Sequence, residues 1–241
     1  GGRAWVLGAG TRAAPMEATP EKIAARPFAV KEIAQFNEPW AMTFLPEFNQ
    51  ALITERRGVL MLWESEGAVV PVAGVPKVEY GGQGGLGDVI LHPDFTTNKL
   101  IYLSYAEAGE GGIGAAVALA RLDSVDGAPA LKDVRVIWRQ SPKASGRGHF
   151  GHRLAISPDR KHLYISSGER QKFDPAQDMN TNLGKIVRLT LDGGMPVDNP
   201  FATNKKSMLP GSITPQIWSF GHRNPLGLAF DGEGRLWNTE M

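Results

Sequence analysis

Cysteine is absent from the 241 residues. That excludes disulfides, thiolate metal centres and cysteine nucleophiles, but it does not assign a compartment. Neither sign of charge is in excess: 26 Lys and Arg stand against 25 Asp and Glu, a net charge of +1. No general attraction to nucleic acid or to an anionic membrane follows, so no nucleic-acid partner is expected. No apolar run approaches the roughly 20 residues that span a bilayer, so no membrane span is expected. The opening stretch lacks the apolar core of a signal peptide. It is rich in Ala, Gly and Pro with weak periodicity, and residues 1–27 read as a loosely ordered lead-in to a folded part at 28–241. Histidine is scarce as well, with five in the chain, yet two of them, His149 and His152, stand three residues apart in "GHFGHRL".

What is present is apolar residues, at 42%, together with 29 Gly and 17 Pro scattered throughout. Few windows carry helical periodicity, and short runs rich in Val, Ile, Leu and Tyr recur between turn signals. That pattern predicts an all-β chain. Four segments repeat one another: "PWAMTFLPEFNQALITER", "LGDVILHPDFTTNKLIYLSYAE", "HRLAISPDRKHLYISSGE" and "PLGLAFDGEGRLWNTEM". Each has an apolar strand, a polar turn and a second apolar strand ending near Ser or Thr. Anchored on Phe44, Leu91, Ile156 and Phe230, they are spaced by 47, 65 and 74 residues. Further strand candidates, "GVLMLWESEG", "AVALARLDSVDG" and "GKIVRLTLDGG", lie between them and end in glycine turns. Two inner strands followed by outer strands, repeated, is the layout of a β-propeller blade. A sandwich with chance internal similarity is the alternative.

The segments just before the repeats occupy equivalent places, and in a propeller such loops converge at one mouth of the central channel. They carry Gln83 in "GGQGGLGDV", His149 in "GHFGHRL" and the pair Arg223–Asn224 in "SFGHRNPLG". Convergence of polar groups at a cleft is the mark of a site. Each residue taken alone also has an ordinary reading: His149 as a turn residue, His152 as a locally hydrogen-bonded structural residue, Gln83 as a surface amide, and Arg223 as the partner of a nearby carboxylate. The loop "FDPAQDMNTNLG" offers Asp174, Asp178, Asn180 and Asn182. Such oxygen-rich loops can take calcium, but this one lacks the glycine and terminal glutamate of an EF-hand, and the favoured reading is a hydrogen-bonded loop near the rim.

With these loops in view, the chain resembles the soluble aldose sugar dehydrogenases and glucose dehydrogenases that use pyrroloquinoline quinone (PQQ). The resembling stretches are "GGQGGLGDVILHPDF", "GHFGHRLAISPD", "DMNTNLGKIVRLTLDGGMPVDNPF" and "IWSFGHRNPLGLAF", within a similarity running from Pro39 to Met241. The resemblance implies a six-bladed β-propeller, of which this chain covers about the first four blades, in a periplasmic or secreted protein. It implies PQQ and calcium as cofactors, an aldose as substrate and an external electron acceptor as partner. By motif match, His149 falls on the catalytic base and Gln83 on a polar residue beside the quinone. Arg223 falls on an active-site arginine near the reactive quinone oxygen, and Asn224 on a cofactor-contacting residue. No metal ligand is assigned in this stretch. The calcium-holding Gly-Pro motif, further basic residues and the remaining blades would follow Met241, on the same chain or on another. Where a related branch has an acidic residue before the catalytic histidine, this sequence has Gly148. The implied reaction oxidises the C1 hydroxyl of an aldose to a lactone, with hydride passing to the quinone. A calcium-dependent propeller lactonase and a non-catalytic binding propeller are the rival readings.

Overall fold

The computed structural model describes residues 27–47, 49–203, 209 and 211–241; most of the lead-in at 1–27 lies outside them. The strands belong to a unit extending over Gln35–Met241. They form three four-stranded antiparallel sheets and one two-stranded sheet, each in simple meander order. The first sheet is β1 (Pro39–Phe44), β2 (Gln50–Glu55), β3 (Val59–Glu64) and β4 (Val69–Pro71). The second is β5 (Leu86–Leu91), β6 (Leu100–Gly109), β7 (Gly112–Val125) and β8 (Ala128–Arg139). The third is β9 (Gly151–Ile156), β10 (His162–Ser167), β11 (Lys185–Thr190) and β12 (Ile217–Phe220), and β13 (Pro225–Phe230) pairs with β14 (Leu236–Glu240). The four sequence repeats are the first two strands of each sheet. The roughly four blades expected resolve into three complete blades and the first two strands of a fourth.

Blades stack face to face, and this explains the apolar runs. In β6, Ile101, Leu103 and Tyr105 join a core shared with Leu52, Leu60 and Leu62 of the first blade. The intervening Tyr102 and Ala106 join a core shared with Leu154, Leu163, Ile165 and Val187 of the third. The strand is covered on both faces, so it reads as a continuous apolar run rather than an alternating one. In β7 the same division falls on alanines: Ala116, Ala118 and Ala120 face the first blade, Ala115 and Val117 the third. Trp138 and Tyr102 also reach polar partners on the third blade, the indole N–H donating to Gln216 Oε1 (3.0 Å) and the phenol to Leu191 O (2.6 Å).

The Ser or Thr near the end of each second strand has a structural cause. Thr54, Ser104 and Ser166 are buried at equivalent places in β2, β6 and β10. Each hydroxyl accepts a backbone N–H from the first strand of its own blade: Ala41 (3.0 Å), Asp88 (2.8 Å) and Arg153 (2.9 Å). Each donates to a carbonyl that begins the next blade: Gly87 (2.7 Å), His152 (2.5 Å) and Pro225 (2.9 Å). One hydroxyl per blade thus pins successive inner strands together and fixes where the loop ahead of each strand emerges.

Candidate active site

The three loops meet. Gln83 Oε1 accepts the His149 backbone N–H at 2.8 Å, and the Gln83 N–H donates to Arg147 O at 2.8 Å. Asn224 Oδ1 accepts the Gly151 N–H at 3.1 Å. Gly168 separates His149 from Asn224: a Cβ there would lie 2.0 Å from His149 O and 3.1 Å from Asn224 Oδ1, so the backbones touch as only glycine permits. Arg223 is held through its main chain, its N–H by Glu240 Oε2 (2.8 Å) and its C=O by the Glu169 N–H (2.8 Å). Its guanidinium has no hydrogen-bonded partner among the described residues. Gln83 and Asn224 line a cavity of about 340 Å³ together with Trp40, Arg56, Phe150 and His152. Amide groups, a guanidinium and aromatic faces around one space suit a planar group bearing carbonyl or carboxylate oxygens.

His149 is buried, and its Nδ1 is hydrogen-bonded to the buried carboxylate of Glu169. Glu169 also accepts the backbone N–H groups of Gln171 (2.9 Å) and Phe173 (2.5 Å). Burial opposes ionisation of this carboxyl, but the bonds from His149, Phe173 and Gln171 outweigh it and hold its pKa below the usual value. An ionised acceptor fixes the imidazole proton on Nδ1 and leaves Nε2 as the basic nitrogen. With Gly148 ahead of the histidine, the carboxylate partner comes from just past the end of β10, twenty residues on. The sequence reading missed it. Its signal was an acidic residue directly after the third repeat's "SSG".

The same reading missed a second carboxylate–histidine pair. Ser219 Oγ lies 2.6 Å from His222 Nε2, and His222 Nδ1 lies 2.5 Å from Glu240 Oε1. Since Glu240 also holds the Arg223 N–H, the segment between β12 and β13 is tied to the end of β14.

One expectation is corrected. His152 does not hydrogen-bond locally through its ring: both nitrogens are buried without a partner among the described residues. The ring instead stacks on Phe150 (centroids 5.4 Å apart) and meets the edge of Trp40 (6.1 Å). Burial, with Arg170 and Arg153 nearby, draws its pKa down to about 3, so it is neutral at physiological pH. A Cβ on Gly87 would lie 2.6 Å from the His152 Cβ, so the glycine makes room for it. The oxygen-rich loop is hydrogen-bonded, as its favoured reading had it, and closes around the cation that follows it. The Lys185 ammonium donates to Pro175 O (2.8 Å), Leu183 O (2.8 Å) and Asp178 O (3.0 Å). Asn182 is turned away to Ser141 N (2.6 Å) and Arg139 O (3.0 Å). Among the described residues, no group of three or more His, Asp or Glu is placed to hold a metal ion, and no helix is long and apolar enough to cross a membrane.

Comparison with known proteins agrees with this architecture. The family model described as glucose / sorbosone dehydrogenase matches residues 36–241. The aldose sugar dehydrogenase YliI of Escherichia coli is 41% identical over 209 residues, covering 86% of this chain and 54% of that protein. Quinoprotein glucose dehydrogenase B of Acinetobacter calcoaceticus is 29% identical over 236 residues, covering 87% and 47%. The PQQ-bound aldose sugar dehydrogenase of Streptomyces coelicolor superposes with a TM-score of 0.73 at 28% identity, covering 88% of this chain and 59% of that one. The chain therefore spans about half the length of these relatives. With the family model matched from before β1 to Met241 and the repeat loops joined as described, the chain belongs to the glucose/sorbosone dehydrogenase family.

Proposed function

We propose that the protein carrying this chain oxidises the C1 hydroxyl of an aldose to the lactone, with His149 as general base. The carrying observation is the buried His149–Glu169 pair, placed where Gln83, Arg223 and Asn224 converge. PQQ, the cofactor named in the S. coelicolor relative, supplies when bound the two-electron acceptor for the hydride that leaves C1. Gln83 and Asn224 would hold its polar edge, with Trp40 as an aromatic wall of the same cavity. His149 Nε2 removes the hydroxyl proton as the C1–H bond breaks. The proton then rests on the imidazole, and Glu169 stabilises the imidazolium that forms. Arg223, whose guanidinium has no described partner, is free to face negative charge developing on the acceptor. Calcium belongs to this reading by resemblance; the described side chains give it no ligand set, and no step is assigned to it. The remaining blades, the electron acceptor and a periplasmic location belong to the same reading.

The test is a dye-linked oxidation assay of the full protein with quinone, calcium and a panel of aldoses. His149→Ala is expected to lower kcat by about 10²–10⁴-fold, the contribution of a positioned base. Calorimetric affinity for the quinone should stay close to that of the parent protein. His152→Ala is expected to be much milder. Near-normal kcat in His149→Ala, or equal losses at both positions, would remove His149 from the role.

A further inference from the structure

Arg170 follows Glu169 directly and is 1% exposed. No carboxylate pairs with its guanidinium among the described residues; its partners are backbone carbonyls. Nε donates to Gly148 O at 2.8 Å and Nη2 to Gly146 O at 2.6 Å, while Nη1 donates to Ile113 O. The Arg170 backbone N–H donates to His149 O at 3.2 Å. Arg147 O is taken by the Gln83 N–H. Every carbonyl from Gly146 to His149 is therefore held, three of the four by Arg170. The guanidinium carbon also lies 3.8 Å from the centroid of the Phe150 ring, in cation–π range. Burial draws the Arg170 pKa down to about 10, with the Glu169 charge opposing the shift, and the group stays cationic at neutral pH.

Burying a cation without an ion pair is costly, and here its hydrogen bonds go to backbone carbonyls around His149. The two segments it ties together carry left-handed residues. His149 sits at φ +51°, and Arg170, Gln171 and Phe173 sit at +60°, +61° and +63°. A non-glycine residue in a sparsely populated region is strained, and such residues cluster at functional sites. A planar fork of N–H groups pointing three ways can meet three separate carbonyls, and a lysine ammonium cannot copy that geometry.

We infer that Arg170 is a positioning residue for His149: it locks the backbone from Gly146 to His149, with His149 at its left-handed φ, while Glu169 locks the ring. The inference rests on His149 being the base of the proposed reaction. Its test compares Arg170→Met and Arg170→Lys in the full protein. The imidazole Nδ1–H resonance of His149 is read by NMR without quinone and assigned by its loss in His149→Ala. In both variants it is expected to shift or broaden away. Loaded with quinone and calcium, they should lose about 10²-fold in kcat, as a displacement of about 1 Å can cause, with sugar KM changing far less. Quinone affinity should be retained. A resonance and kcat unchanged in both variants, with only the melting temperature lowered, would reduce Arg170 to a fold-stabilising residue. If the Met variant does not fold, the Lys variant, which keeps the charge, carries both readouts. The resonance does not depend on turnover. Should His149→Ala keep its kcat, the proposed reaction falls, and the NMR signal still decides whether Arg170 places the ring.

Discussion

At the residue scale the site depends on a carboxylate whose two oxygens do different things. Glu169 Oε1 faces His149 Nδ1 and the Gln171 N–H, while Oε2 faces the Phe173 N–H. In Glu169→Gln one of these oxygens becomes an NH₂ group. Turned toward Phe173, it opposes a backbone N–H. Turned toward His149, it opposes the Gln171 N–H and donates to Nδ1, which moves the imidazole proton to Nε2 and removes the base. Either way the substitution, though nearly isosteric, is expected to cost a large part of the general-base contribution of about 10²–10⁴-fold in kcat. ¹⁵N chemical shifts of the His149 ring should report a changed tautomer. Wild-type kcat with an unchanged tautomer would show that the carboxylate does not set the imidazole. The pair was only half legible in the sequence. His149 stood out because it precedes a repeated strand. Glu169 lies beyond the second strand of the same repeat, and only the β9–β10 pairing returns it to the histidine. His152 is structural, as its ordinary reading had it, but its ring is held by Phe150 and Trp40 instead of by local hydrogen bonds, because neighbouring blades bury it.

At the element scale the sequence was most informative where a physical requirement recurs once per blade. The paired apolar runs marked β1–β2, β5–β6, β9–β10 and β13–β14, and the Ser or Thr near each second-strand end marked the hydroxyl that pins inner strands together. The fourth strands β4, β8 and β12 were less legible. They lie outermost, and in β8, "APALKDVRVIWR", partial exposure thins the apolar signal. The oxygen-rich loop hid its partner in another way: its backbone acceptors serve Lys185, the cation directly after its end. The hydroxyl pins carry a prediction. Ser104→Ala leaves the Asp88 N–H and the His152 C=O buried without their partner, so it is expected to cost about 1–3 kcal/mol. Thr54→Val and Ser166→Ala remove the same device one blade away on either side. The three costs, measured from urea midpoints, should be similar to one another. A neutral Ser104→Ala would mean that the hydroxyl does not hold the blades together.

At the scale of the whole molecule the site is a property of how blades meet, since its residues come from the loops ahead of β5, β9 and β13. Packing between the second and third blades should therefore matter to the site more than packing elsewhere. Ile165 of β10 is 1% exposed and shares one core with Phe150, the residue directly after His149, and with Leu154, whose N–H is held by Asp88 of the second blade at 2.9 Å. Leu131 of β8 is comparably buried, but it lies in the core between the first and second blades, on an outer strand where its backbone meets Ala73. Truncation to alanine at either position creates a cavity and is expected to cost about 2–5 kcal/mol. The stability losses should be similar and the functional losses should not. Ile165→Ala slackens the seat of Phe150 and, through it, the backbone at His149, so quinone affinity and kcat should fall well below those of Leu131→Ala at a temperature where both variants are folded. Equal function in the two variants would show that the loops hold the site by their own hydrogen bonds, independently of the core beneath them.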